Sequence, residues 1–213
     1  MPAMAAGSAS RAEAPNRFER RKLELRGRIL GAATRLFERD GIEATRLEAI
    51  CERADVARRT FFNHYPSKQH LVRELAGYAL DQLLLEIETA RKHGRSTRDR
   101  LRRFFRVVAE RTEEAGPMHR ELLTELVHAV HESPSKSEHA RKLHDAFEAI
   151  VREGLADGDV TRHHDAETLT QMILGAYYVL MFSFANLDDF PIRKHALAAA
   201  RFLSDALAPA PEE

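Results

Sequence analysis

The chain has 213 residues, 44% of them apolar and 31% charged, with 10 glycines, 8 prolines and a single cysteine. That is ample material for a hydrophobic core, and the wealth of Leu, Ala, Glu and Arg favours helices over strands. One cysteine, Cys51, excludes an intrachain disulfide framework and suits a reducing compartment. The 33 basic and 33 acidic residues cancel, but unevenly. Residues 1–73 carry 15 Lys/Arg against 9 Asp/Glu, which leaves 18 against 24 for the rest. A basic N-terminal third on an acidic remainder suggests a nucleic-acid-binding head joined to a body with a different task.

The opening segment, residues 1–19, is rich in Ala, Ser, Gly and Pro without periodicity and reads as a disordered basic tail. It has no apolar h-region of the secretory type, so a cytoplasmic protein is expected. Arg11, Arg17, Arg20, Arg21 and Lys22 give this region a positive cast, and such an arm can lie against DNA phosphates or in a minor groove.

Residues 20–67 read as a DNA-binding head of three helices. The first spans about Arg20 to Arg39, with Leu25, Ile29, Ala32, Ala33, Leu36 and Phe37 on one face and Gly41 as its stop. Thr45 fits the N-cap of the second, whose inner face is Leu47, Ile50, Cys51 and Ala54. Cys51 is read as a packed side chain. Ala54 to Ala57 makes the turn, where Asp55 tolerates unusual backbone angles and offers to cap the next helix. That third helix, about Ala57 to His64, stops before Pro66. It carries Arg58, Arg59, Thr60, Asn63 and His64 around two aromatics. Phe62 is assigned to the core, and Phe61 to the core in preference to a thymine methyl.

Residues 68–208 read as a separate helical body, with 209–213 as a tail. Ser67 opens a long helix from Lys68 to about Lys92, whose apolar positions are Leu71, Leu75, Tyr78, Ala79, Gln82/Leu83 and Ile87. Gly94 ends it, and Ser96 caps a helix with Leu101, Phe104, Phe105, Val108 and Ala109 inside. Helices follow over about Met118 to His131, Lys136 to Ala156, Asp165 or Thr168 to Phe184, and Pro191 to Leu207. The run Met172 to Leu187 has sixteen uncharged residues. A membrane span needs about 20, so a helix buried between protein surfaces is expected instead. The fold class is all-α with about nine helices.

Gly41, Thr45, the Ile50–Val56 region, Thr60 to Lys68 and Leu71 together resemble the TetR-type transcriptional regulators. The resemblance is dense over about 50 residues of the head and architectural in the body. It implies a homodimer through the last two helices, each copy placing its third helix in the major groove of one half of a palindromic operator in double-stranded DNA. It implies base or phosphate contacts from Thr45, Arg46, Arg58, Arg59, Thr60, Asn63, His64, Tyr65 and Lys68. Two departures stand out: Asp55 where the family usually has Gly, and Ala57 where it often has Ser or Thr. The resemblance further implies repression relieved by a small apolar or amphipathic effector. Candidate pocket residues are Leu84, Phe104, Phe105, Val108, Leu122, Leu126, Phe147, Met172, Tyr177 and Phe182.

Two other readings compete. A DNA-binding protein without an effector shares the head. A helical metal enzyme would use Glu125-x-x-His128 with His131, but the second Glu-x-x-His of such sites is missing. No Ser-His-Asp arrangement, phosphate loop or Cys-based zinc pattern is visible, so neither catalysis nor a cofactor is expected.

Overall fold

Asn16 opens the first helix, α1 (Arg17–Asp40), with a reciprocal cap: its side chain accepts the Phe18 and Glu19 amides while the Glu19 carboxylate accepts the Asn16 amide at 2.9 Å. The helix therefore starts inside the segment expected to be a disordered tail. The structure, a computed structural model, describes residues 16–114, 116, 118–123 and 134–209. Among these residues there is no strand.

The α1 face formed by Ile29, Ala32, Ala33, Leu36 and Phe37 is buried, and Gly41 ends the helix with φ 87°, a conformation that costs glycine nothing. Two short helices follow, α2 (Leu47–Arg53) and α3 (Arg58–His64). Thr45 does not cap α2: the capping position is Arg46, without a side-chain bond, because the Thr45 hydroxyl donates to Gly41 O at 2.6 Å. Nor does Asp55 cap α3, which starts after Ala57. Asp55 instead adopts φ 51°, the left-handed geometry that makes the turn. Asp tolerates this better than most residues. Arg28 fixes the turn by donating to Ala54 O at 2.6 Å and pairing with the Asp55 carboxylate at 3.2 Å.

The long helix α4 (Lys68–His93) belongs to both halves of the molecule. Leu71, Val72, Leu75 and Ala76 pack into the head with α1, α2 and α3, while Ile87 and Ala90 pack into the body. Leu71, Leu75 and Ile87 are buried as expected, while Leu80 is buried in place of the half-exposed Tyr78. The body continues with α5 (Thr97–Glu113), the helical residues 118–123 (α6), α7 (Pro134–Asp157), α8 (Ala166–Asn186) and α9 (Ile192–Ala206). Ser96 caps α5 through the Asp99 amide and Asp165 caps α8 through the Thr168 amide at 2.7 Å. Helix α5 runs through the middle, packed on α4, α7 and α9. Phe104 anchors its core, edge-on to Phe147 at 5.0 Å and beside Phe105 and Tyr177. Helix α8 is long and apolar enough to cross a membrane by length and composition, but Leu169, Ile173, Tyr177, Leu180 and Phe184 bury one face in the body.

The end of α7 is seated so closely that Gly154 has no room for a side chain. Thr97 donates its amide and hydroxyl to the two Asp159 oxygens, each at 2.7 Å. A Cβ on residue 154 would lie 2.1 Å from Thr97 Oγ1 and 2.4 Å from Val160 Cγ2. Gly154→Ala is therefore expected to cost about 3 kcal/mol, the upper end for overpacking, read as a lower midpoint in urea unfolding. A midpoint within error of the parent would mean that the α5–α7 junction yields without strain.

Candidate nucleic-acid interface

Helix α3 is seven residues long and is seated by one buried ring. Phe61 is fully buried, edge-on to Phe62 at 5.6 Å and tilted against Tyr65 at 5.7 Å. Phe62 is not core. It is 42% exposed, with the Arg58 guanidinium 5.8 Å from its ring centre. Arg58 also pairs with Glu48 of α2 at 2.7 Å, which ties the two helices together. Arg59 is exposed and in no such pair, and Asn63 is exposed beside it in the helix. Thr60 and His64 are half-buried. The His64 pKa is lowered, first by burial and then by Lys22 and Arg26, so the ring is neutral near pH 7. Arg46 is exposed at the start of α2.

Three residues expected at the phosphates are committed inward. Thr45 is buried, its hydroxyl spent on Gly41 O. Lys68 is half-buried, and its ammonium donates to Ile42 O at 2.7 Å and Thr45 O at 2.9 Å. It therefore clamps the loop between α1 and α2 and does not extend toward solvent. Tyr65, 2% exposed, lies beneath the Arg26 guanidinium at 5.2 Å. Its hydroxyl makes no hydrogen bond of ordinary geometry among the described residues, although Glu74 and Arg26 lie near it, and burial first, then Glu74, pushes the phenol well above its usual range.

A buried hydroxyl without a partner carries a desolvation cost of about 1–3 kcal/mol. Tyr65→Phe is thus expected to leave thermal stability unchanged or slightly raised, with DNA affinity retained. A tenfold loss of affinity in a gel-shift titration would restore Tyr65 as a contact.

The body also grips the head directly. Glu121 of α6 accepts the Glu43 amide at 2.8 Å, in the same loop that Lys68 clamps. Leu122, expected in a ligand pocket, packs instead into the head's core with Met118 beside it. Nothing in the sequence marks this bond, because Glu121 and Glu43 lie 78 residues apart.

A cavity of about 100 Å³ lies between α4, α5, α6 and α8. Val108 and Tyr177 line it as expected, joined by Leu80, Leu83, His119 and Met181, which the sequence did not single out. Phe104, Phe105 and Phe147 are packed core, and Leu84 is half-buried against that core. Met172 and Phe182, 59% and 52% exposed, face out of the body. Leu126 lies outside the described residues, as do Glu125, His128 and His131 of the metal reading. Among the described residues, His144, Asp145 and Glu148 stand close enough to share an ion. Each is already engaged, with Glu167, Arg141 and Arg152 respectively.

A buried aromatic holding a short, exposed, cation-bearing helix behind a tight turn is the arrangement of a helix-turn-helix, here continued by α4 into a helical body. Residues 29–75 match the model of bacterial regulatory proteins of the tetR family. The repressor KstR of Mycolicibacterium smegmatis is 29% identical over 183 residues, covering 84% of this chain and 87% of that protein. The repressor KstR of Rhodococcus jostii is 47% identical over 49 residues, 23% of each chain. The crystal structure of Thermus thermophilus FadR, a TetR-family repressor in complex with lauroyl-CoA, matches with a TM-score of 0.64. It is 24% identical, covering 88% of this chain and 98% of that one. Residues 29–75 thus carry a tetR-family DNA-binding head, and the chain as a whole is similar to TetR-type transcriptional repressors in sequence and fold.

Proposed function

We propose that this regulator is a cytoplasmic repressor that binds a palindromic operator as a homodimer and leaves it when a small apolar or amphipathic molecule enters the body. The exposed face of α3 carries the DNA reading, with Arg59 and Asn63 free to meet base edges. An arginine across guanine O6 and N7 is worth about 1–3 kcal/mol of discrimination. Arg58 shares its charge with Glu48 and reaches DNA by exchanging that partner. The dimer would form through α8 and α9, whose outward apolar residues Met172, Val179, Phe182 and Phe202 have no cover within the chain.

The effector reading rests on the cavity against α4. At about 100 Å³ it is well below the ~300–1,000 Å³ of ordinary ligand sites. An effector of that size must therefore push its walls apart, and α4, one of those walls, runs on into the head. A ligand shifts the heads to the extent that it binds the opened state better than the closed one. The lauroyl-CoA found with the Thermus repressor is amphipathic, in keeping with this class of ligand.

Selection of bound duplexes from a random pool tests the reading. An inverted repeat should emerge, and Arg59→Ala should bind it at least tenfold more weakly. A pool that stays random after repeated rounds would refute sequence-specific binding.

A further inference from the structure

Arg17, Arg20, Arg21 and Lys22 stand on the first two turns of α1, all exposed and none in an ion pair among the described residues. Elsewhere in the head, Arg26, Arg28, Arg39 and Arg58 each have a carboxylate partner, while Arg35, Arg46, Arg53 and Arg59 have none among the described residues. Cations there oppose the helix dipole, and the single acidic residue of that turn, Glu19, is occupied by the cap. A segment that breaks a local rule with no local compensation marks a place where function is served.

The geometry supplies the function. A groove of about 590 Å³ runs between α1 and α3, with Phe18, Arg21 and Lys22 on one wall and Thr60, Asn63 and His64 on the other. Arg17 sits one turn ahead of Arg21. Arg20 falls on the opposite side of the helix by its spacing and does not line the groove. Asp55, in the turn before α3, is the one carboxylate lining the groove and pairs with Arg28; Thr60 and Asn63 carry no charge, so the positive charge of this groove comes from α1.

We propose that the first two turns of α1 are a second DNA contact, in which Arg21 and Lys22, supported by Arg17, bind phosphates of the strand bordering the major groove that α3 enters. The inference rests on DNA reading by α3. That groove is about 12 Å wide, so a wall one helix away from the reading face meets its phosphate rim and not its base edges. Such contacts position the protein on the duplex and carry no sequence information.

The experiment is a salt series on the selected duplex, comparing the wild type, Arg21→Ala/Lys22→Ala and Arg20→Ala. Each phosphate contact adds about 0.9 to the slope of log K against log salt. With two copies on each duplex, the double variant should lose about 3.6 of that slope, keep the wild-type order of preference among duplexes, and melt at the same temperature or higher. Arg20→Ala should keep the wild-type slope. If the alanine pair melts lower, Arg21→Gln/Lys22→Gln, which keeps the side-chain stems, gives the slope to compare. A wild type that binds no duplex overturns the DNA reading and this inference with it. Steep wild-type binding with an unchanged slope in the double variant overturns the inference alone. An equal drop in Arg20→Ala, or an altered order of preference in the double variant, overturns it as well.

Discussion

A Phe182→Glu chain is expected to stay folded and to sediment as a monomer under conditions where the parent is a dimer. The outer face of α8 presents Thr168, Met172, Gly175, Val179, Phe182 and Asn186, all exposed and separated by steps of four and three. Alternating steps of four and three define the seam of a helix that packs on a partner helix. Val179 and Phe202 are 64% and 71% exposed, which completes an apolar patch that a monomer would leave in water. Burying one large apolar side chain is worth about 1.5–3 kcal/mol, and a two-fold interface loses it twice. The two new carboxylates must also lose water on association. A weakening of at least ~4 kcal/mol corresponds to about a thousandfold in the dimer constant. Operator affinity should fall with it, because two linked heads bind far more tightly than either head alone. The inner face of α8 is untouched, so the melting of the isolated chain should not change. A Phe182→Glu protein that still sediments as a dimer would place the interface elsewhere.

Lys68→Met should destabilise the head by about 3 kcal/mol, because it removes two charge-assisted bonds worth ~1.5–3 kcal/mol each and leaves Ile42 O and Thr45 O to find water. Methionine retains most of the apolar stem, so the loss reports the ammonium. A lysine reaching out to a phosphate behaves differently. Its removal would leave stability unchanged and lower the salt slope by about 1.8, one contact from each of two copies. Thermal unfolding of the variant, read together with its salt series on DNA, separates the clamp from the contact. An unchanged midpoint with a shallower slope would return Lys68 to the phosphate.

The order and type of the helices were legible because their punctuation is local. Gly41, Ser96 and Asp165 stop or start helices by chemistry contained within four residues, and the stripe Ile29 to Phe37 spans enough turns to define its phase. Helix α3 is too short for that. In seven residues, adjacent Phe61 and Phe62 cannot be ordered by periodicity; both read as core, and only Phe61 is buried. Tyr65 follows the helix, where the extended backbone before Pro66 turns its ring inward. In α8 the difficulty is reversed. It is apolar all round, so the sequence does not say which side faces the core, and Met172 and Phe182 were placed in a pocket when they point outward. The two ties on the α1–α2 loop, from Lys68 and Glu121, join residues far apart in the chain and leave no local signature. Arg17 to Lys22 are visible as a basic run, but the Asn16–Glu19 cap turns that run from a tail into a helical wall.

The most direct test of the whole account is the mass and composition of the complex formed on the selected duplex, measured by analytical ultracentrifugation with Arg59→Ala alongside. Two copies of the chain per duplex are expected, on half-sites whose centres lie about 34–36 Å apart or a multiple of that, with Arg59→Ala failing to form the complex at matched concentration. One chain per duplex, or equal binding of wild type and Arg59→Ala to any sequence, would contradict it.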